Sequence, residues 1–547
     1  MGRRTDRLAV LLVLASWVAL ALVTSASTLW DRDEPRFARA TVEMIESGNY
    51  LYPTFRGALR PDKPILVYWL MSIPVRLFGP VEWAVRSWSP IAAAIAGLLT
   101  FSIGRRLFSA RAGIFAAAML LSSPLLVFEG TAATVDALLL ACTTAATAVL
   151  AAGLLGRSRP VPGLAGLAVL LALAQLAKGP VGLIPVLGFA ATLAVLRPEE
   201  RPSRGYRVGV VLAAAASVGL FAAWFLPADA ATDGDYLRLA LGRHVVARIE
   251  APMEHHGGSY LASLPFYVPV VLFGFAPWSL YLPAAIARGR LAGRPARALL
   301  LGWSGAWFVV MTLVATKLPH YVLPLWPALA LACGATLQAA SEGRLDERER
   351  RWLARGGVLL ALVLAAEVAL LLAAPGFARM PDLRAPCAVV AGILAFAGGW
   401  ALLEHRRGRH LRSAALLFLG AWAVYAGVAA LILPKLEARK VVPGIAAAIR
   451  ARTDRDVPVA CLGYHPSTLE FYIDRPPIED LRTPEDLARW LRRATAGVLV
   501  VPRSRIPAGS ADELARAEPI ADLAGFDFEK GEPIELLALG RNLRPLR

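Results

Sequence analysis

Cysteine, histidine and charge are all scarce in this chain of 547 residues. It has four cysteines and seven histidines, and only 18% of its residues are charged. Cys142, Cys333, Cys387 and Cys461 stand far apart, so they spell out neither a disulfide framework nor a cysteine-based metal or redox motif. With 57% hydrophobic residues and a mean hydropathy of +0.54, the shortage of charge excludes a soluble globular protein. Acids are the scarcer sign: 41 against 58 bases, for a net charge of +17. In a soluble chain that excess suggests nucleic acid. Here the bases sit between apolar runs, and no basic patch is interleaved with aromatics as single-strand binding requires. They read instead as signals that orient membrane spans.

Long apolar runs are what the chain has in plenty. They recur at 8–29, 84–103, 113–128, 132–155, 161–176, 180–196, 208–227, 262–286, 298–315, 321–340, 357–374, 386–403 and 413–433. At roughly 17–25 residues each, they imply about 13 spans and a mostly α, polytopic helical bundle. The first run could instead be a signal peptide cleaved near Ser25-Ala26-Ser27, but its length suits a retained span. The connections alternate in character. One set is Arg-rich, as in Arg105/Arg106/Arg111, Arg288/Arg290/Arg294/Arg297 and Arg406/Arg407/Arg409/Arg412, and is expected in the cytoplasm with the N-terminus. The other set mixes acids, His, Lys, Tyr and Trp, and function is expected on its face. An odd number of spans puts everything after residue 433 on that outer side.

That tail, 434–547, changes composition. PVACLGY (458–464), LEFYI (469–473), GVLVVP (497–502) and IELLALG (534–540) read as strands. Helices are expected at 484–493 and 510–517. The chain thus divides into a transmembrane domain, 1–433, and a small extracytoplasmic α/β domain, 434–547.

The outer loop 30–83 is the richest in chemistry. Asp33, Glu34 and Asp62 stand among Arg36, Arg60 and Lys63 beside the bilayer, where ionisable groups need a purpose. Pro35 suits a first helical position and Gly48 a helix end. Phe37, Ala40, Thr41, Met44 and Ile45 share one face. A short amphipathic helix lying along the interface is expected, and a second one at 65–78. Such helices bring Asp33, Glu34, Arg36 and Lys63 together at headgroup depth. Cations there would stabilise charge on a phosphate leaving group, and a carboxylate would accept a proton from an attacking hydroxyl. The plainer alternative is that these groups only pair with one another.

The arrangement DEPRFA…MIESGNYLYPTF…PDKPILVYW resembles the bacterial GT-C glycosyltransferases, of the ArnT-like and protein O-mannosyltransferase-like group. GTAATVDALLL (130–140), ARIEAPMEHHGGSY (247–260) and TKLPHYVLPLWPALAL (316–331) agree with it, in the same order. The resemblance implies a polyprenyl-phosphate sugar donor and an inverting transfer to an acceptor outside the cytoplasmic (inner) membrane, such as lipid A, with protein as the alternative. It implies Asp33 as the catalytic carboxylate, with Glu34 beside it and Asp136 as further catalytic candidates, and Arg36, Lys63, Lys178 and Tyr321 as donor-phosphate ligands. Lys317 and His320, which flank that tyrosine, are further candidate substrate contacts. His255 and His256, with Asp62, are candidate substrate contacts; adjacent histidines on a loop are not a metal motif, and no cofactor or metal is expected. A flippase or transporter would carry repeats with matching broken helices, and the sequence has no such self-similarity. An envelope-assembly scaffold is the non-enzymatic alternative.

Overall fold

The computed structural model describes residues 2–30, 33–156, 160–240, 263–288, 293–475, 478–493, 496–507 and 517–543, together with 242, 509 and 514. It is a helical bundle with a small mixed sheet at one end. Among the described residues, ten stretches are long and apolar enough to cross a membrane, and twelve if each of two bent pairs is one span. The count differs from the 13 apolar runs of the sequence because two of those runs are taken together. The runs 161–176 and 180–196 join into a single helical stretch, Val161–Val195, through a 3-10 segment at Gly179–Leu183. The stretch folds back there: a Cβ on Gly182 would lie 2.5 Å from the Gln175 nitrogen.

The first helices are α1 (Gly2–Thr24), α2 (Asp33–Ser47), α3 (Leu66–Phe78) and α4 (Glu82–Arg86). Next come α5 (Trp88–Leu107), α6 (Ala110–Leu121), α7 (Pro124–Thr131), α8 (Asp136–Leu154) and α9 (Pro160–Lys178). Close packing follows from small residues. A Cβ on Gly113 would meet the Phe101 carbonyl at 2.6 Å, and one on Gly104 would meet Gly113 Cα at 2.7 Å, so α5 and α6 touch backbone to backbone. Leu11, Leu22, Val211, Leu362 and Phe396 are exposed on the outside of the bundle, as lipid contact requires.

Helix α2 forms where expected, but it is largely covered by protein. Most of it is buried, from Glu34 and Pro35 through Phe37–Met44, and Phe37, Ala40, Val42 and Met44 join one core with residues of α3 and of the tail. The tail covers it, so its apolar face meets protein where lipid was expected.

The tail folds around five strands: β3 (Val459–Leu462), β4 (Glu479–Leu481), β5 (Gly497–Pro502), β6 (Glu518–Asp527) and β7 (Glu532–Arg541). A small hairpin of β1 (Thr54–Phe55) and β2 (Ala58–Leu59) precedes them in the outer loop. The order is β4-β3-β5-β7-β6, with β3 parallel to β4 and β5 and the β5/β7 and β6/β7 pairs antiparallel. LEFYI is not a strand: Ser467–Ile473 is a helix with all seven residues buried. A short run apolar on every side has no period to tell the two apart, and burial on all sides suits a helix equally. Helix Pro484–Arg493 forms as expected, while most of 510–517 lies outside the described residues. Phe526 and Phe528 pack with Met380, Leu383 and Cys387, pinning the sheet to the helix ends beneath it.

Candidate active site

The ends of five elements converge where α2 begins. Asp136 opens α8, where an acid is favoured by the helix dipole. It is 5% exposed and forms an ion pair with Lys178, the last residue of α9. The Lys178 ammonium also lies 4.6 Å over the Tyr321 ring, a cation–π contact. His320, in the 3-10 segment Pro319–Leu325, stands between two carboxylates. Its Nδ1 is 3.4 Å from Glu129 Oε1 and its Nε2 is 3.9 Å from Asp136 Oδ2. Glu129, 2% exposed near the end of α7, accepts a hydrogen bond from the Thr134 hydroxyl at 2.9 Å. Lys63 is close enough to act electrostatically on Asp136 and His320, and Asp33 on Glu129 and His320. The structure thus brings together Asp33, Lys63, Asp136, Lys178, His320 and Tyr321.

Four other candidates are turned elsewhere. Both Glu34 oxygens accept from Arg86, at 2.7 and 2.6 Å, and also from the backbone N–H groups of Ala133 and Trp30 at 2.7 and 2.9 Å. Those bonds fix the start of α2 against α4 and the α7–α8 turn, a positioning task. Arg36 Nε donates to Ser467 Oγ at 3.2 Å, because the tail sits over that face of α2. Asp62 pairs with Arg60 at 2.9 Å; Arg60 in turn lies over Phe37 and donates to the Tyr68 hydroxyl. Lys317 Nζ donates to the carbonyls of Met311, Thr312 and Val314, around the end of helix Arg294–Leu313. Burial holds its ammonium below the ordinary lysine range. His255 and His256 lie outside the described residues. Lys317→Gln leaves carbonyls of that helix end without their charged partner, so it should cost about 1–3 kcal/mol of stability. Thermal unfolding of the purified variant checks this; an unchanged midpoint would contradict it.

Glu129 and Arg86 escaped the sequence reading. Each is a lone charge at the edge of an apolar run, and an ionisable residue at membrane depth is by itself a functional signal. Oxygen and nitrogen ligand atoms of Glu129, Asp136 and His320 lie within 4.8 Å of one another, so this trio can hold a cation. Lys178 already supplies one positive charge to Asp136.

Over 434 residues the chain is 31% identical to the undecaprenyl phosphate-alpha-4-amino-4-deoxy-L-arabinose arabinosyl transferase of Edwardsiella ictaluri, covering 74% of this chain and 75% of that one. The chain belongs to the ArnT-like family of GT-C glycosyltransferases. The ArnT-like transferase 1 of Sodalis glossinidius is also 31% identical, over 381 residues, 68% of this chain and 66% of the relative. Residues 62–225 match the family model described as dolichyl-phosphate-mannose-protein mannosyltransferase; the matched stretch includes Lys63, Glu129, Asp136 and Lys178. The ArnT fold is shared throughout: the crystal structure of ArnT from Cupriavidus metallidurans bound to undecaprenyl phosphate superposes with a TM-score of 0.76 at 21% identity, covering 97% of both chains. The sheet-bearing tail is therefore part of the ArnT-like architecture.

Proposed function

We propose that this ArnT-like chain transfers a sugar from a polyprenyl phosphate, undecaprenyl phosphate in bacteria, to an acceptor at the outer face of the cytoplasmic membrane, with inversion. The observation that carries the proposal is the cluster of Lys63, Lys178, His320 and the buried Asp136 beside Asp33, set on helix ends that lead into the apolar bundle. The donor's tail would lie along those helices, with its phosphate between Lys63 and Lys178. The bond from the sugar's anomeric carbon to the phosphate oxygen breaks, and a bond to the acceptor oxygen forms. Polyprenyl phosphate leaves, its charge stabilised by the two ammonium groups. Asp33 orients the acceptor and takes its proton when the acceptor is a hydroxyl. A phosphate acceptor, as on lipid A, is already ionised and needs only orientation. Arg36, one turn along α2 from Asp33, would support the donor phosphate from the side that faces the tail. Tyr321 would do so from beneath Lys178.

The orientation that fits is a cytoplasmic N-terminus with the tail outside. Arg-rich connections such as 404–412 lie at the opposite ends of the helices from the site, and the fold-back at Gly179–Leu183 lets Val161–Val195 return to the side it came from. The acceptor that fits the relatives is lipid A. The mannosyltransferase family model over 62–225 favours protein as a second possibility. Purified enzyme in nanodiscs, given undecaprenyl phosphate aminoarabinose with lipid A or with envelope protein, separates them by mass spectrometry. A pentosyl-sized mass gain on lipid A is expected. A gain on protein alone would move the acceptor to the second reading, and none on either would overturn the proposal.

A further inference from the structure

The tail meets the segment before α2 and the start of α2 at several points, one of them the short helix α10 (Ser467–Ile473), whose residues are all buried. A helix covered on every side is packed upon by something on each face, and one of its neighbours is α2. Its polar contacts are directed at the first outer loop. Ser467 accepts from Arg36. Arg56 Nη2 donates to the His465 carbonyl at 3.0 Å, and its Nε faces Glu470 Oε1 at 3.1 Å. Tyr472 extends further. Its hydroxyl accepts the Leu29 backbone N–H at 2.7 Å and donates to Glu82 Oε1 at 3.0 Å.

Those two partners belong to the segments that meet at Glu34. Leu29 precedes Trp30, whose N–H binds Glu34. Glu82 opens α4, whose Arg86 grips the same carboxylate and also the Thr24, Ser27 and Thr28 carbonyls, at 2.7, 2.6 and 3.0 Å. One phenolic oxygen of the tail thus ties the exit of α1 to the helix that clamps the residue next to Asp33. We propose that Tyr472 is a positioning residue for glycosyl transfer, acting from the tail on the placement of Asp33. The proposal rests on the reading above in which Asp33 orients the acceptor.

A phenylalanine at 472 would leave the Leu29 N–H, in a residue only 1% exposed, without its partner. A buried amide does not stay unpaired without cost, and the readiest relief is a small shift of the 28–34 segment. A displacement of about 1 Å at a reacting group can cost on the order of 10²-fold in rate. Lys63 and Lys178 lie on other elements, and Lys178 is paired with Asp136, so donor affinity should be spared.

The experiment uses full-length enzyme in nanodiscs with the donor and acceptor defined above, and reads kcat, donor KM and melting temperature for Y472F, E82A, E82Q and Y472F/E82A. Expected is a fall in kcat of about 10- to 100-fold for Y472F and a fall for E82A, with donor KM within about threefold of wild type. The double variant should be no slower than the slower single one, because both singles break one shared bond. E82Q keeps an acceptor oxygen and should retain most of kcat. Wild-type kcat in Y472F would overturn the proposal. So would a loss carried by donor KM alone, or by melting temperature with kcat intact. If Y472F does not accumulate, E82A against E82Q reads the same bond: equal kcat in the two would overturn it. Absence of transfer by the wild type would overturn the underlying reading, and the role of Tyr472 with it.

Discussion

Replacing Lys63 by alanine is expected to lower kcat/KM about 10²–10³-fold, the usual effect of removing one donor aimed at charge that develops in a transition state. The residue follows Asp62 in a loop braced by Arg60, which is held over Phe37 and bonded to Tyr68. Its own carbonyl accepts from the Tyr236 hydroxyl at 3.4 Å. The backbone is thus fixed before any substrate arrives, and the ammonium is held near Asp136 and His320. In a site screened from water, an ammonium beside a leaving phosphate is worth more than one at a surface. Lys63→Arg keeps the charge but changes its shape, so partial activity is expected. The check is steady-state transfer by variants whose melting temperature matches wild type. Turnover within threefold of wild type in K63A would remove Lys63 from the site.

Glu34→Gln is expected to act on folding, by about 3–5 kcal/mol, because it leaves Arg86 buried with its charge uncompensated. Arg86 is 2% exposed and Glu34 4%. The pair is doubly hydrogen-bonded, and the remaining donors of Arg86 go to backbone carbonyls. Replacing both partners together by apolar residues of similar size, Glu34→Leu with Arg86→Met, should cost less than either single change, because no orphan charge remains. Yield and melting temperature of the three proteins decide it. If the double variant is less stable than each single one, the pair is not acting as a buried ion pair. A well-folded Glu34→Gln with transfer abolished would instead return Glu34 to the reacting groups.

The two charges behave differently because of where the chain places them, and sequence shows that only in part. The runs, the Arg-rich connections and the helix beginning near Pro35 were legible because period, length and capping residues are local signals. Asp136 and Lys178 could be named from the family resemblance. Glu34 could not be told from Asp33: they are adjacent acids at one helix start, and only Arg86, 52 residues away, separates their roles. The contact of Arg36 with the tail was hidden for a similar reason. Its partner Ser467 belongs to a segment that itself read as a strand, so the contact had no sequence signature. Lys317 looked like a ligand from the Lys-Leu-Pro-x-Tyr pattern, whereas the backbone carbonyls that hold it are invisible to composition.

The tail is fastened at several places, and two of them stand well apart: Tyr472 bonds beneath Ser467–Ile473, and Phe526 and Phe528 sit among Met380, Leu383 and Cys387. A body held at two points cannot swing open like a lid on one pivot without tearing one attachment. Traffic of bulky lipid in and out must then pass sideways between neighbouring helices, by small local yielding, while the roof stays shut.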